Sequence, residues 1–426
     1  MSHIVAKEAY KSLEERLNKF PQGAPPSETL YKILEMLYTK REAELVAKLP
    51  IRPFTLKTAS YIWNTSEKEA EIILEELAKR ALILDSEKDG VKHFVLPPPM
   101  AGFMEFALMR TRGDIDQKLL SELYHQYIFV EEDFVRELFW STETKLGRAF
   151  VQEPALDMNG NDDTLHILDY EKATHIIENS REIGLSMCYC RHKNHHLGTV
   201  CDAPMETCMT FNDTAKSLIK NSYARKIDVV EAKEVLHRAY EANLVQCGEN
   251  VRNMPSFMCN CCSCCCEAFV ATRKLGMLHP VETTNFIASI NNESCVKCGR
   301  CVKVCPVDAI DIVEDKENNT KRIELNKEAC IGCGVCLRNC KIGSITLKAR
   351  DKRVITPVNS VHRIASMAIE KGQLQNLIFD NEALKSHRAM KAILGAILKM
   401  PPLKRAMASK QLKSVYLEKL LEKSKI

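Results

Sequence analysis

Eight cysteines between residues 295 and 340 are the side chains of this sequence most suited to chemistry. They form two runs with the same spacing, C-x2-C-x2-C-x3-C, which begin 35 residues apart. The runs comprise Cys295, Cys298, Cys301 and Cys305, then Cys330, Cys333, Cys336 and Cys340. Thiolates at this spacing are typical ligands of iron–sulfur clusters. Zinc fits poorly, because structural zinc sites use two pairs of ligands rather than runs of four.

The two runs resemble those of bacterial two-cluster ferredoxins, and Pro306 follows the first run as it does in that family. The resemblance implies a small α+β fold with two 4Fe–4S clusters, in which the fourth cysteine of each run binds the other cluster. One cluster would then be bound by Cys295, Cys298, Cys301 and Cys340, and the other by Cys330, Cys333, Cys336 and Cys305. Lys341 departs from the pattern, which has proline there. Its free N–H and positive charge both favour the reduced cluster.

A second region, residues 188–266, holds the other eleven cysteines. Ten of them are clustered in sequence, and Cys247 stands apart. The ten predicted metal ligands are Cys188, Cys190, Cys201, Cys208, Cys259, Cys261, Cys262, Cys264, Cys265 and Cys266. Neighbouring side chains point in different directions in regular backbone, so this region faces metal on more than one side, or only some of its thiols are ligands.

Three kinds of site remain open for this second region: one or two conventional 4Fe–4S clusters, a non-standard cluster, and zinc or redox dithiols. The double cysteines resemble the CCG module of heterodisulfide reductases, although no CCG triplet occurs. Three stretches resemble 4Fe–4S binding proteins of anaerobes: Cys188-Tyr-Cys-Arg, Cys201-Asp-Ala-Pro-Met-Glu-Thr-Cys208 and Cys259-Asn-Cys-Cys. That resemblance covers most of the chain and implies no particular reaction.

Five basic side chains follow the first cysteines of this region: Arg191, His192, Lys193, His195 and His196. We expect them to offset the negative charge of a thiolate-bound cluster. The alternatives are a histidine ligand and a solvated basic loop. Helical patterns over 214–223 and 228–244 predict a hairpin that brings the early and late cysteines together.

The elements around these cysteines predict a multidomain α+β protein. Its segments are a winged-helix-like module (1–96), a mixed linker and helical domain (97–187), a mainly helical cysteine-rich domain (188–288), a two-cluster ferredoxin domain (289–349) and a basic helical tail (350–426). If the first segment bound DNA, the helix over 67–80 would be the one to enter the major groove, but it holds five Glu and only three basic residues. That charge disfavours specific DNA binding. A docking or dimerisation role is favoured instead.

Charge and composition limit the function further. The net charge is +4, yet residues 385–426 carry eleven Lys and Arg against two Asp and Glu, which leaves the rest at −5. We therefore expect the tail to pack on the acidic body or on a partner, with a membrane-surface helix as the alternative. The N-terminus has no signal-peptide pattern, and no apolar run has transmembrane length. Nineteen cysteines without an export signal favour metal over disulfides and a reducing, anaerobic cytoplasm.

The sequence thus predicts a cytoplasmic electron-transfer protein with two ferredoxin-type clusters and one or two more in the second cysteine region. Its partner would be a redox protein or an oxidoreductase complex. One alternative is an oxidoreductase whose active site lies among residues 188–266, and another is a redox-sensing DNA-binding regulator. No glycine-rich nucleotide motif of the G-x-G-x-x-G or G-x-x-x-x-G-K-[ST] type is present.

Overall fold

The structure is a computed structural model that describes residues 2–157, 167–315, 320–380, 388, 390–392 and 395. The described residues fall into two compact units. The first unit consists of the described residues within Met1–Thr144, Asp213–Arg225 and Ser360–Ile426. The second unit consists of those within Lys145–Asn212 and Lys226–Asn359. The five segment boundaries predicted above remain predictions.

The first 144 residues are mainly helical with one small sheet. The elements are α1 (Ser2–Leu17), α2 (Glu28–Leu37), α3 (Lys40–Val46), β1 (Phe54–Thr55), α4 (Leu56–Trp63), α5 (Glu67–Lys79), β2 (Leu84–Lys88), β3 (Val91–Val95), α6 (Met104–Phe106), α7 (Gln117–His125) and α8 (Asp133–Trp140). Apolar residues at helical spacing over residues 28–48 predict one helix, but the structure has two there. Tyr38 is extended, and Thr39 begins α3 with a capping box that includes Glu42.

Helices α4 and α5 are followed by the β2–β3 hairpin, and β1 completes a three-stranded sheet in the order β1-β3-β2. The hairpin turns at Asp89 and Gly90, which both have positive φ, as a two-residue turn of this kind requires. Ser66 caps α5 through the backbone N–H of Glu69. Helices followed by a hairpin have the order that the predicted winged-helix-like module requires, and that module stays a prediction.

The second unit is built on a six-stranded sheet in the order β4-β8-β9-β6-β5-β7. The described part of residues 145–275 contains, in chain order, β4 (Gly147–Ala149), α9 (Glu153–Asp157), α10 (Ala173–Glu178), β5 (Ile183–Met187), α11 (Tyr189–His196), β6 (Glu206–Phe211), α12 (Asn212–Lys220), β7 (Arg225–Ile227), α13 (Val229–Glu241), β8 (Val245–Glu249), β9 (Phe257–Cys261) and α14 (Glu267–Leu275). Of these, α12 belongs to the first unit from Asp213 onward. Helices α10 and α13 share an apolar core with β5 and β6.

Residues 188–288 contain helices α11 to α14, but helices alone do not build this segment, because strands β6, β8 and β9 lie side by side in it. Strands β6 and β8 are buried on almost every residue, so they lack the alternation of polar and apolar residues that marks a half-exposed strand. The expected helical hairpin does not unite the cysteines either. Strands β6, β8 and β9 carry them side by side, and residues 213–225 belong to the other unit.

The ferredoxin-like segment contains two antiparallel strand pairs and two short helices. Its elements are β10 (Phe286–Ile290), α15 (Arg300–Val304), β11 (Ile310–Asp315), β12 (Thr320–Leu325), α16 (Val335–Arg338) and β13 (Ile345–Ala349). Strand β10 pairs with β13, and β11 pairs with β12. Alternating apolar residues on the two sides of Glu314–Lys321 predict that Ile310 and Ile312 pair with Ile323 and Leu325, and the structure confirms this pairing. Strand β10 begins three residues before the predicted domain boundary at 289.

Helices α17 (Ser360–Glu370) and α18 (Leu374–Ile378) follow. Most of the basic tail predicted to be helical, from residue 381 onward, lies outside the described residues. None of the helices in the described part of the chain is long and apolar enough to cross a membrane.

Candidate metal centres

Four of the eight ferredoxin-type cysteines line one cavity. Its walls include the thiols of Cys305, Cys330, Cys333 and Cys336, and the rest is mainly apolar, with Ile310, Leu325, Ile331 and Leu347 among the lining residues. All four cysteines are buried. The fourth cysteine of the first run thus lies beside the first three of the second run. This is the grouping that the ferredoxin resemblance implied for one cluster.

The remaining four cysteines lie nearer the surface. Cys301 is buried, whereas Cys298 is exposed. Burial raises the pKa of Cys301, and the neighbouring thiols Cys295 and Cys298 raise it further. The loop of Cys340 approaches the same run, since the hydroxyl of Ser344 lies 3.1 Å from that of Ser294.

Backbone N–H groups point at sulfur in both halves of this segment. The amides of Lys297, Ala309 and Ser344 donate to Cys295 Sγ (3.4 Å), Cys305 Sγ (3.2 Å) and Cys340 Sγ (3.3 Å). Such bonds stabilise negative charge on sulfur and tune the potential of a bound cluster. The donor set of buried thiols, apolar wall and N–H groups fits a 4Fe–4S cluster.

Gly332 permits the close packing of the loop between Cys330 and Cys333. It has φ +71°, and a Cβ there would lie 2.1 Å from the carbonyl oxygen of Phe286 and 2.2 Å from Thr284 Oγ1. Thr284 Oγ1 also donates to the Gly332 carbonyl at 2.8 Å. Only glycine fits both the conformation and the space.

The second cysteine region contains two distinct sets of thiols. The first, called the four-thiol group, consists of Cys201, Cys262, Cys264 and Cys265, whose sulfur atoms all lie within 4.8 Å of one another. Cys201 comes from the loop between α11 and β6, and the other three lie in the turn between β9 and α14. The turn packs against the end of α13, where Ala239 and Leu244 contact Cys262 and Cys265.

The second set, called the seven-thiol group, starts from a row of cysteines across the sheet. Cys247 of β8 pairs with Cys259 of β9. Cys208 of β6 falls opposite Cys259, because Met209 pairs with Met258. Laterally paired side chains share a face of a sheet, and Cys261, two residues beyond Cys259, shares it too. The register of three strands thus gathers four thiols on one face.

Three more thiols extend this row. Cys261 interacts with Cys247, Cys259 and Cys266 closely enough for their thiols to raise its pKa well above the usual range, and Cys266 occupies the N-cap position of α14. The pKa of Cys190 in turn responds to the thiols of Cys188 and Cys266. None of the seven is exposed. Hydrogen bonds from Cys208 and Cys261 hold the pKa of Cys259 below its usual range, which favours a thiolate in the middle of the group.

Sequence reasoning omitted Cys247, because it lies far from the other cysteines along the chain. The strand patterns could have found it. Val245-Gln-Cys247 and Phe257-Met-Cys259-Asn-Cys261 are short strand-like segments joined by a loop, and pairing them antiparallel places Cys247 opposite Cys259.

The basic residues after Cys190 form helix α11 and not a solvated loop. Arg191 and Lys193 are fully buried. Burial opposes the charge of Arg191, but the neighbouring thiols of Cys188 and Cys262 outweigh that effect and raise its pKa. Lys193 Nζ pairs with Glu267 at 2.6 Å. The predicted charge balance therefore has a structural basis at Arg191, which lies between the two thiol groups.

The ferredoxin-like segment contacts the end of α13 near the second cysteine region. Arg338 donates to Gln152 Oε1 at 3.0 Å and to the carbonyl of Tyr240. Asn339 donates to Asn243 Oδ1 at 2.8 Å. Helix α16, which holds Cys336, thereby meets the same helix end that packs on the four-thiol group.

Comparison with known proteins identifies one part of the chain. Residues 294–353 match the family described as a 4Fe-4S dicluster domain. No curated protein sequence and no solved structure matches the chain. Residues 294–353 are therefore a 4Fe–4S ferredoxin-type domain, and together with the clustered cysteines they mark the chain as an iron–sulfur electron-transfer protein.

Proposed function

We propose that the ferredoxin-type domain holds two 4Fe–4S clusters and passes single electrons through them. Cys295, Cys298, Cys301 and Cys340 would bind the first cluster, and Cys305, Cys330, Cys333 and Cys336 the second. The cavity lined by the second set is the observation that carries this proposal. A bound cluster supplies one-electron chemistry, while the chain supplies thiolates, N–H donors and an apolar wall that excludes water.

The seven-thiol group is the proposed third iron–sulfur centre. Seven thiols exceed the four that one conventional cluster needs, so a larger or non-standard cluster fits best. Arg338 contacts Tyr240 at the end of α13, and Asn339 contacts Asn243 in the turn that leads into β8 and Cys247, and these contacts support a path between the two centres. Electrons would then pass from the first cluster to the second and on to this centre.

An external redox protein would dock at the first cluster. Cys298 is exposed there, whereas the four cysteines of the second set are buried. Val296 and Ile342 are 61% and 55% exposed beside the exposed Arg300 and Lys341. A small apolar surface edged by positive charge suits a partner with acidic side chains around its own redox centre. That partner could be a carrier protein or a subunit of an oxidoreductase complex.

Iron and sulfide analysis of the anaerobically prepared full-length protein tests the cluster assignment. The wild type should contain more than the roughly eight irons that two cubane clusters hold. Changing all eight ferredoxin-type cysteines to serine should remove those eight and leave iron and sulfide in the second region. A folded variant without iron and sulfide would refute the third centre, and a loss of four irons or fewer would refute the pair of ferredoxin clusters.

The second candidate, an oxidoreductase, shares this electron path but ends in a reaction at residues 188–266. It predicts that a small molecule changes the EPR signal that survives in the eight-serine variant. An unchanged signal across a substrate library would favour electron transfer alone.

We propose a docking or dimerisation role for the winged-helix-like module, and not DNA binding. Lys92 of its hairpin is paired with Glu71 at 2.7 Å and Glu75 at 2.8 Å, both on α5. A basic group of the hairpin that could neutralise phosphate is thus paired with the helix that would have to enter the groove. A sequence-specific footprint at physiological salt would overturn this proposal.

A further inference from the structure

We propose that the four-thiol group binds a single divalent metal ion in tetrahedral thiolate coordination, Zn²⁺ or Fe²⁺, and not an iron–sulfur cluster. Its four ligands would be Cys201, Cys262, Cys264 and Cys265. This site differs from the iron–sulfur centre proposed at the seven-thiol group, and it divides the eleven cysteines of residues 188–266 between two kinds of metal chemistry.

The spacing of the sulfur atoms carries the inference. Cys201 Sγ lies 3.7 Å from Cys262 Sγ and 3.8 Å from Cys265 Sγ, and Cys264 Sγ lies 3.8 Å from Cys265 Sγ. All four atoms lie within 4.8 Å of one another. Four sulfurs at about 2.3 Å from one zinc ion, at the corners of a tetrahedron, lie about 3.8 Å apart. The thiols therefore have the spacing of ligands around one ion.

A 4Fe–4S cluster requires a wider arrangement. Each of its thiolates binds a different iron, so the dimensions of the cluster separate the four sulfur atoms. Within the described part of the chain, no other set of cysteine, histidine, aspartate or glutamate side chains is as compact as the four-thiol group. The ferredoxin-type cysteines, which match a 4Fe–4S family, are thus more widely spaced than these four.

The chemistry of the donor set agrees with this geometry. Four thiolates and no oxygen ligand select zinc or ferrous iron among the common metals. Together with a divalent ion they carry a net charge of −2, and the positive charge of the buried Arg191 lies close enough to Cys262 to interact with it. Four protein ligands leave no open position, so the site is structural and not catalytic. It would fasten the loop of Cys201 to the turn that precedes α14.

The experiment uses the full-length protein prepared anaerobically, with zinc, iron and acid-labile sulfide measured together. The expected wild type contains one metal ion per chain beyond the iron that accompanies sulfide. Cys264→Ser, a change at the exposed member of the group, and the double variant Cys262→Ser/Cys265→Ser should lose that ion and keep the sulfide unchanged. Loss of zinc and loss of sulfide-free iron both support a mononuclear site and tell the two metals apart.

The matched control is Cys330→Ser, which should lower iron and sulfide together and leave the single ion in place. If the serine variants do not fold, X-ray absorption at the zinc and iron edges of the wild type decides. With zinc, a single shell of four sulfurs at about 2.3 Å without a metal neighbour is expected.

Two outcomes would overturn the inference. One is the loss of about four irons together with sulfide in Cys264→Ser. The other is a wild type with neither zinc nor sulfide-free iron. Either could occur while the ferredoxin clusters and the seven-thiol centre remain intact, so failure here is distinct from failure of the proposed electron-transfer function.

Discussion

The ferredoxin-type domain and the second cysteine region both concentrate thiols, but they do so by different means. In the domain, loops next to the short helices α15 and α16 carry cysteines at fixed intervals, and four of the thiols line an apolar cavity. In the seven-thiol group of the second region, the paired strands β6, β8 and β9 bring the thiols of Cys208, Cys247 and Cys259 together. Spacing along the sequence therefore determines the first arrangement, whereas strand register determines the second.

The largest effect is expected at Gly332, where the domain depends on close packing. Gly332→Ala places a Cβ about 2.1 Å from the backbone oxygen of Phe286, so the loop between Cys330 and Cys333 has to move. We expect loss of the second cluster, roughly four irons per chain. Overpacking of this kind typically costs about 1–3 kcal/mol of folding free energy. Iron analysis and thermal unfolding of the anaerobic protein measure both effects.

Gly343→Ala is the matched control, because Gly343 has φ +70° in the same domain, and no atom of the described residues lies within 4 Å of the position that a Cβ would take there. It shares the unfavourable backbone conformation, which costs about 1 kcal/mol, and lacks the clash. Equal loss of iron in the two variants would show that the positive φ of the glycine, and not the clash with Phe286, makes alanine unfavourable in this loop.

The next effect concerns Cys247, which joins the seven-thiol group only through strand pairing. Cys247→Ala should weaken metal binding at this group by at least about tenfold, the usual effect of losing a supporting interaction at a metal site. The ferredoxin EPR signals should be unchanged and serve as the internal control. Unaltered total iron and sulfide in the variant would show that Cys247 is not a ligand, as expected from the sequence, where it stands apart from the other ten cysteines.

A smaller effect is expected where the two regions meet. Arg338→Ala removes hydrogen bonds to Gln152 and to the Tyr240 carbonyl, which should lower the free energy of unfolding by about 1–2 kcal/mol. It should also slow reduction of the seven-thiol centre by a protein donor, as followed by rapid-freeze EPR. Arg322→Ala, which removes an exposed ion pair with Glu324, is the control and should change stability by less than about 1 kcal/mol. Equal reduction rates in the two variants would argue against the path through α13.

The same contrast explains what the sequence could predict. The pairing of Ile310 with Leu325 followed from alternating residues on both sides of a turn, and the gathering of Cys305 with the second run followed from a family resemblance. Strands β6 and β8 were not predicted, because burial of almost every residue leaves them without alternation. Cys247 was omitted because it lies far from the other cysteines along the chain, and only pairing of β8 with β9 brings it to them. Antiparallel register, and not local spacing, decides which thiols meet.

The smallest effect is expected at Lys341, the position where this domain departs from the ferredoxin pattern. Lys341 is exposed and directly follows Cys340, so its charge should favour the reduced first cluster only weakly. Exposed charges contribute a few tenths of a kcal/mol, which corresponds to roughly 10–20 mV for a one-electron couple. Lys341→Met should therefore lower the potential of that cluster by about this amount in an EPR titration at low salt, and less at high salt. Lys226→Met, which removes an equal charge from edge strand β7, is the control. Equal shifts in both variants would mean that net charge, and not the position of Lys341, sets the potential, and the departure from proline would then have no electrostatic consequence.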